Sequence, residues 1–330
     1  VTDKTLAESA RSGDRRALAR LLTEVENRTA AGEAALKTLY PLAGAAHLVG
    51  VTGAPGSGKS TLVAALTGAA RAAGRPVGVI AIDPSSPITG GAILGDRVRM
   101  QIHATDDDVF IRSMASRGHS GGLAASTVAA AAVMDAAGFG LIFIETVGTG
   151  QSEVEVAAIA DTTVVVQSPE MGDEVQAIKA GLLEVADIVV VNKADRPGAD
   201  RAAAQLRAML TVGAASDKAA IAAGRPRPKR PEVMLASALS GKGVPELLAA
   251  LDRRAPSPGS RVADGAAIKR AEAQVAGIVA ERIAEQLQSP DRAAQREETM
   301  RAVARHEIDP YTAADRLLSS IKAGDSPGTR

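Results

Sequence analysis

The sequence predicts an α/β fold, a mostly parallel sheet covered by helices, and three observations predict it. Short apolar runs alternate with helical patterns from Leu48 to about Leu251. The runs are continuous rather than alternating in polarity, as strands buried on both faces must be. The first run, Leu48 to Val51, opens through a glycine-rich turn onto the helix-like stretch Thr61 to Ala72.

That turn is Gly53-Ala54-Pro55-Gly56-Ser57-Gly58-Lys59-Ser60 followed by Thr61, a P-loop in strand-loop-helix context. Its glycines let backbone N–H groups turn inward around phosphate oxygens, and the following helix presents the positive end of its dipole. Lys59 is expected to reach the β- and γ-phosphates and Ser60 a Mg²⁺ ion. The fold expected is therefore that of a P-loop NTPase.

Composition narrows the classes. The chain of 330 residues has 46% apolar residues, enough for a large core, and 38 acidic against 38 basic residues. Balanced charge gives no global field of the kind that draws in nucleic acid or an anionic membrane. With no cysteine and only His47, His103, His119 and His306, disulfides, thiolate metal sites and a soft-metal store are excluded. Charged residues interrupt every apolar stretch before membrane-spanning length, and Val1 to Arg20 lacks an apolar signal core. A soluble, cytoplasmic protein with neither nucleic acid nor membrane as partner is the expectation.

In chain order, residues 1–46 read as two or three short helices, with Leu6, Ala10, Leu18, Leu21, Leu22 and Val25 facing the core domain. Residues 47–256 form the nucleotide domain. Its strands are expected at Leu48–Thr52, Val77–Ile82, Val109–Ile111, Leu141–Ile144, Thr163–Val166, Ile188–Val191 and Val233–Leu235. Ala-rich Leu123 to Ala137 is a packing helix by propensity. Residues 213–231, with Arg225-Pro226-Arg227-Pro228-Lys229-Arg230-Pro231, read as a solvated connection. Residues 257–330 form a helical arm. Ile268, Ala271, Val275, Val279, Ile283 and Leu287 make one apolar face until Ser289-Pro290. A further helix starts at Asp309-Pro310, where Asp caps and Pro takes the first position.

Asn192-Lys193-Ala194-Asp195 ends the Ile188 to Val191 strand. Guanine offers donors at N1 and N2, so a placed carboxylate accepts both, whereas adenine presents an acceptor at N1. Asp195 therefore selects GTP, Lys193 lays its aliphatic stem along the base, and Ser237-Ala238-Leu239 closes over it. Three stretches between these motifs are candidate sensors of the γ-phosphate. In Asp83 to Arg97, Asp83 and Asp96 are candidate direct or water-mediated Mg²⁺ partners, with helix capping as the alternative for Asp96. In Glu145 to Glu153, Glu145 ends a buried strand and needs a partner such as Mg²⁺, Gly148 brings an N–H to the γ-phosphate, and Gln151 is a candidate to orient water. The third runs from Pro169 through Glu170 to Gly181. No general base or arginine finger stands out, so intrinsic hydrolysis is expected to be slow.

Together these motifs resemble the methylmalonyl-CoA mutase-associated GTPases, the MeaB, ArgK and MMAA group of SIMIBI-class P-loop GTPases. The most specific matches are Gly53 to Thr61, Asp83 to Met100, Glu145 to Glu153, Gly172 to Gly181 and the Asn192 to Asp195 run. The resemblance implies a homodimer, paired through the C-terminal helical arm. Its GTP-to-GDP cycle would protect and gate adenosylcobalamin loading of methylmalonyl-CoA mutase or a related acyl-CoA mutase, the cobalamin belonging to the mutase. The three sensor stretches would be its switches. Thr149 and the Ser168-Pro169-Glu170-Met171 run depart from the usual pattern. Two other readings share the P-loop. A nickel-insertion GTPase would need Cys/His metal ligands of its own, and this chain has no Cys; a transport-system kinase or ATPase would need a phospho-acceptor and a base.

Overall fold

The computed structural model describes residues 5–83, 101–103, 105–115, 122–146, 151–170, 180–222, 230–257 and 265–324. All seven expected strands are present: β1 His47–Thr52, β2 Val77–Asp83, β3 Val109–Ala115, β4 Leu141–Thr146, β5 Thr162–Gln167, β6 Ile188–Val191 and β7 Glu232–Leu235. They form one sheet in the order β3-β2-β4-β1-β5-β6-β7, and every pairing is parallel. The helices of the first unit are α1 Leu6–Arg11, α2 Arg15–Glu26, α3 Ala30–Leu39, α4 Lys59–Ala72, α5 Gly122–Ala136, α6 Gln151–Ile159, α7 Ala180–Val185, α8 Ala199–Ala222 and α9 Val244–Asp252.

Period-two alternation explains why the strands read as unbroken apolar runs. Ile80, Ile82, Ile142 and Ile144 face one layer, where they meet Leu18, Leu21 and Leu22 of α2 and Val133 and Met134 of α5. Val77, Val79, Leu141 and Phe143 face the other, against Leu62, Val63 and Leu66 of α4 and Leu247 and Leu251 of α9. Both faces are dry, so neither set can be polar. The N-terminal helices are capped locally: the Thr5 hydroxyl accepts from Glu8 N while Glu8 returns to Thr5 N, Asp14 accepts from Arg16 and Ala17 N, and Thr29 from Gly32 N.

Two sequence expectations need correction. β3 runs to Ala115 instead of ending at Ile111, because Arg112 on this edge strand ion-pairs with Glu26 of α2 and its charge is met. Residues 213–222 are helical rather than connecting. Alanines there carry α8 through Gly213 to Ala222. The basic Pro-rich residues 225–229 lie outside the described residues.

The chain divides into two compact units, residues Val1–Ala271 and Glu272–Arg330. Helix α10 spans Gly265–Gln288, followed by α11 Ala293–Ala304 and α12 Pro310–Gly324. Asp309 caps α12 as expected, accepting from Tyr311 N at 2.9 Å and Thr312 N at 3.0 Å. Helix α11 was not expected from the sequence, whose apolar positions there are sparse. No described helix is long and apolar enough to cross a membrane.

Candidate functional site

The strand order brings the described parts of the motifs to one end of the sheet. The chain leaves β1 for β2, returns to insert β4 between them, then crosses to β5 on the other side, so loops diverge at the carboxyl end of β1. Such a switch point opens a crevice for ligand. Around it lie Gly53–Gly58 after β1, Asp83 ending β2, Glu145 near the end of β4, Ser168–Glu170 after β5, Asn192–Asp195 after β6 and Ala236–Lys242 after β7.

The P-loop must be glycine at two points for separate reasons. Gly53 has φ +134° and a Cβ there would lie 2.1 Å from Val166 O; Gly58 has φ +90° and a Cβ would lie 2.5 Å from Asn192 Nδ2. The loop is thus pressed against β5 on one side and the base motif on the other. Pro55 and Gly56 are exposed, Ser57 is buried, and Lys59, Ser60 and exposed Thr61 begin α4. Lys59 reaches back over the loop, its ammonium donating to Gly53 O at 2.8 Å and Ala54 O at 3.1 Å. That places a buried cation in the hollow where phosphate charge is expected.

Next to it the Ser60 hydroxyl donates to Glu145 Oε1 at 2.6 Å, and both residues are almost fully buried. A hydroxyl and a carboxylate in contact are the hard oxygen donors that Mg²⁺ prefers, so this pair fits the metal expected from sequence. Asp83, 1% exposed, ends the neighbouring strand, where its predecessor Ile82 pairs with Thr146. Asp96 and Gly148 lie outside the described residues. Gln151 opens α6, but its side chain lies outside the description.

Asn192 is the joint of the site. Its side-chain N–H₂ donates to Ser57 O at 3.0 Å and Gly58 O at 3.3 Å, while its Oδ1 accepts from Ala238 N at 3.1 Å. One buried amide therefore ties the phosphate loop to the loop after β7. The expected role of Asn192 was nucleotide contact within a motif; its bridging role was not legible from local sequence. Lys193 takes a left-handed φ of 58°, and Arg196 N donates to Lys193 O at 2.9 Å, forming the tight turn that presents Asp195. The Ser237 hydroxyl donates to Asp195 Oδ1. This bond, with a backbone N–H and the nearby Arg196 charge, holds the Asp195 carboxyl below the usual carboxylate range. Any aspartate with an ordinary pKa is ionised at neutral pH; the lowering extends the acceptor form of Asp195 to more acidic pH. Leu239, 87% exposed, belongs to the same loop as Ser237.

The sequence did not signal that Glu170 would lie beside the Lys193–Arg196 turn. Its carboxylate pairs with Arg196 and lies 3.8 Å from Lys193 Nζ.

Residues 18–296 match the family model described as methylmalonyl Co-A mutase-associated GTPase MeaB. A Pyrococcus abyssi protein named provisionally as a GTPase is 47% identical over 321 residues, covering 97% of each chain. The mitochondrial methylmalonic aciduria type A homolog of Caenorhabditis elegans is 35% identical over 263 residues, 74% of this chain and 64% of that one. Among solved structures, one titled LAO/AO transport system kinase superposes with a TM-score of 0.66 at 28% identity, covering 98% of this chain and 99% of its own.

Proposed function

The chain belongs to the methylmalonyl-CoA mutase-associated GTPase family, MeaB, and is a GTPase; from that premise we propose that its GTP cycle protects and gates adenosylcobalamin loading of an acyl-CoA mutase, methylmalonyl-CoA mutase foremost. The family match over most of the chain is the observation that carries this reading.

The chemistry assigned to the site is attack of water on the γ-phosphorus. The bond to the β–γ bridging oxygen breaks, that oxygen leaves with GDP, and inorganic phosphate forms. Catalysis of this reaction is mostly positioning and charge stabilisation. Lys59 exchanges its two carbonyl partners for β- and γ-phosphate oxygens, trading neutral acceptors for anionic ones. The P-loop N–H groups hold the phosphate chain. Ser60 and Glu145, with Asp83 one strand away, would hold Mg²⁺, which would supply positive charge to offset that of the phosphates. Asp195 accepts from guanine N1 and N2, Lys193 covers the base, and Ser237 to Leu239 close the pocket. Gly148 and Gln151 are assigned to the γ-phosphate and the water.

With Gly148 assigned to the γ-phosphate, loss of that group would be passed into residues 147–153. A mutase that contacts the GTP and GDP forms differently must shift nucleotide affinity reciprocally, by about 1 to 3 kcal/mol for a typical coupling. The apolar positions Val275, Ile278 and Val279, exposed on α10, support the homodimer as the form in which the protein works.

The test is GTP turnover with and without a cobalamin-dependent acyl-CoA mutase from the same organism, alongside nucleotide-dependent cobalamin binding to the mutase. Stimulated turnover and altered cobalamin binding are expected, with Lys179→Ala, in the third sensor stretch that runs from Pro169 to Gly181, uncoupling the response while sparing intrinsic hydrolysis. No effect in either direction would refute the chaperone assignment. The same incubation with γ-labelled GTP addresses the kinase title of the structural relative: release of label only as phosphate fits a hydrolase, whereas label on a protein partner would favour a kinase.

A further inference from the structure

Asn192 N donates to Gln167 O at 2.8 Å, so the chain leaving β5 runs beside the base motif. Three residues later Glu170 meets the two cations that flank Asp195 in sequence. It pairs with Arg196 and lies 3.8 Å from Lys193 Nζ, and about half of its side chain remains exposed. Lys193 and Arg196 are the two ends of one turn, with Asp195 between them. Arg196 is the next residue after Asp195 and its charge acts on that carboxylate, whose oxygens the proposed role reserves for guanine. A bidentate Arg–carboxylate contact is the strong competitor in such a cluster.

We propose that Glu170 is a positioning residue for purine recognition: it anchors the Lys193 ammonium beyond the base and withholds Arg196 from Asp195. This rests on the assignment of Asp195 as the guanine reader. It also gives the unusual Ser168-Pro169-Glu170-Met171 run a task at the base, where sequence reasoning had attached it only to the third switch. The carboxylate does not touch the nucleotide; it acts through two side chains that do or that obstruct.

The experiment compares GTP with ITP, whose base lacks the 2-amino donor and so makes one fewer bond to Asp195. Exposed ion pairs of this type have small effects, so Glu170→Gln is expected to raise KM for GTP about two- to five-fold with kcat unchanged. The GTP-over-ITP preference in kcat/KM should fall, because Arg196 then occupies Asp195. Adding Arg196→Gln should restore that preference. High salt should shrink the difference between wild type and Glu170→Gln, as screening weakens both the clamp and its competitor. An unchanged preference in Glu170→Gln, or one that Arg196→Gln fails to restore, overturns the proposal. Asp195→Asn separates the two levels of the argument. If wild type discriminates no better than Asp195→Asn, the guanine reading itself fails; if Asp195→Asn loses discrimination while Glu170→Gln keeps it, only the Glu170 role fails. A thermal unfolding midpoint near that of wild type is expected for Glu170→Gln, since the side chain is half exposed.

Discussion

Replacing Asn192 removes a joint rather than a ligand, and the structure allows its cost to be worked out. The side chain makes bonds to Ser57 O, Gly58 O and Ala238 N, and the residue is 1% exposed. A net value of about 1 kcal/mol per bond gives about 3 kcal/mol for Asn192→Ala, more if the stranded backbone groups stay dry. If roughly half of this is felt only when both loops close on nucleotide, about 1.5 kcal/mol, the GDP dissociation constant rises about tenfold. Asn192→Asp is the sharper variant. It keeps an oxygen for Ala238 N but sets a second oxygen, carrying charge, against two carbonyls that can only accept. Asp should therefore be worse than Ala, although it is the smaller change in shape. Denaturant unfolding without ligand and titration with a fluorescent GDP analogue measure the two effects. An Asp variant as stable and as tight-binding as wild type would refute the bridging argument. An Ala variant altered in stability alone would confine Asn192 to the fold.

Two further outcomes follow from the same geometry. Glu145→Gln should raise the Mg²⁺ concentration needed for half-maximal hydrolysis about tenfold or more while changing GDP affinity in EDTA little, because a charged hard donor is replaced by a neutral one; an unchanged metal titration would leave Glu145 a purely structural role. Ser237→Ala should raise the pKa of Asp195. Its folded value lies below the ordinary Asp value of about 3.9, so the ionised carboxylate's contribution is complete above that value and is lost as pH falls through the depressed one. Guanine-nucleotide affinity should then fail at higher pH in the variant than in wild type, which acid titration of GDP binding detects; coincident curves would exclude Ser237 as the cause.

What the sequence determined by itself was whatever is written in consecutive residues. Gly53 to Thr61 prescribed the phosphate loop because backbone conformation and helix polarity there depend on neighbours along the chain. The apolar runs prescribed a sheet buried on both faces, and all seven strands appeared. Asn192 to Asp195 pointed to a guanine reader from the chemistry of one carboxylate, and the structure places that run directly after β6. Extents were less legible where a charge found its partner far away, as Arg112 did in Glu26, 86 residues distant. Tertiary structure alone decided the joints. Ser60 meets Glu145 across 85 residues and Asn192 meets the P-loop across 135, because a parallel sheet with crossover helices gathers the carboxyl ends of remote strands at one edge. Glu170 looked like part of a switch by its position in the chain. Its carboxylate lies beside Lys193 and Arg196 because β5 and β6 are adjacent, and electrostatic interaction depends on distance in space, which the order of residues along a chain does not encode.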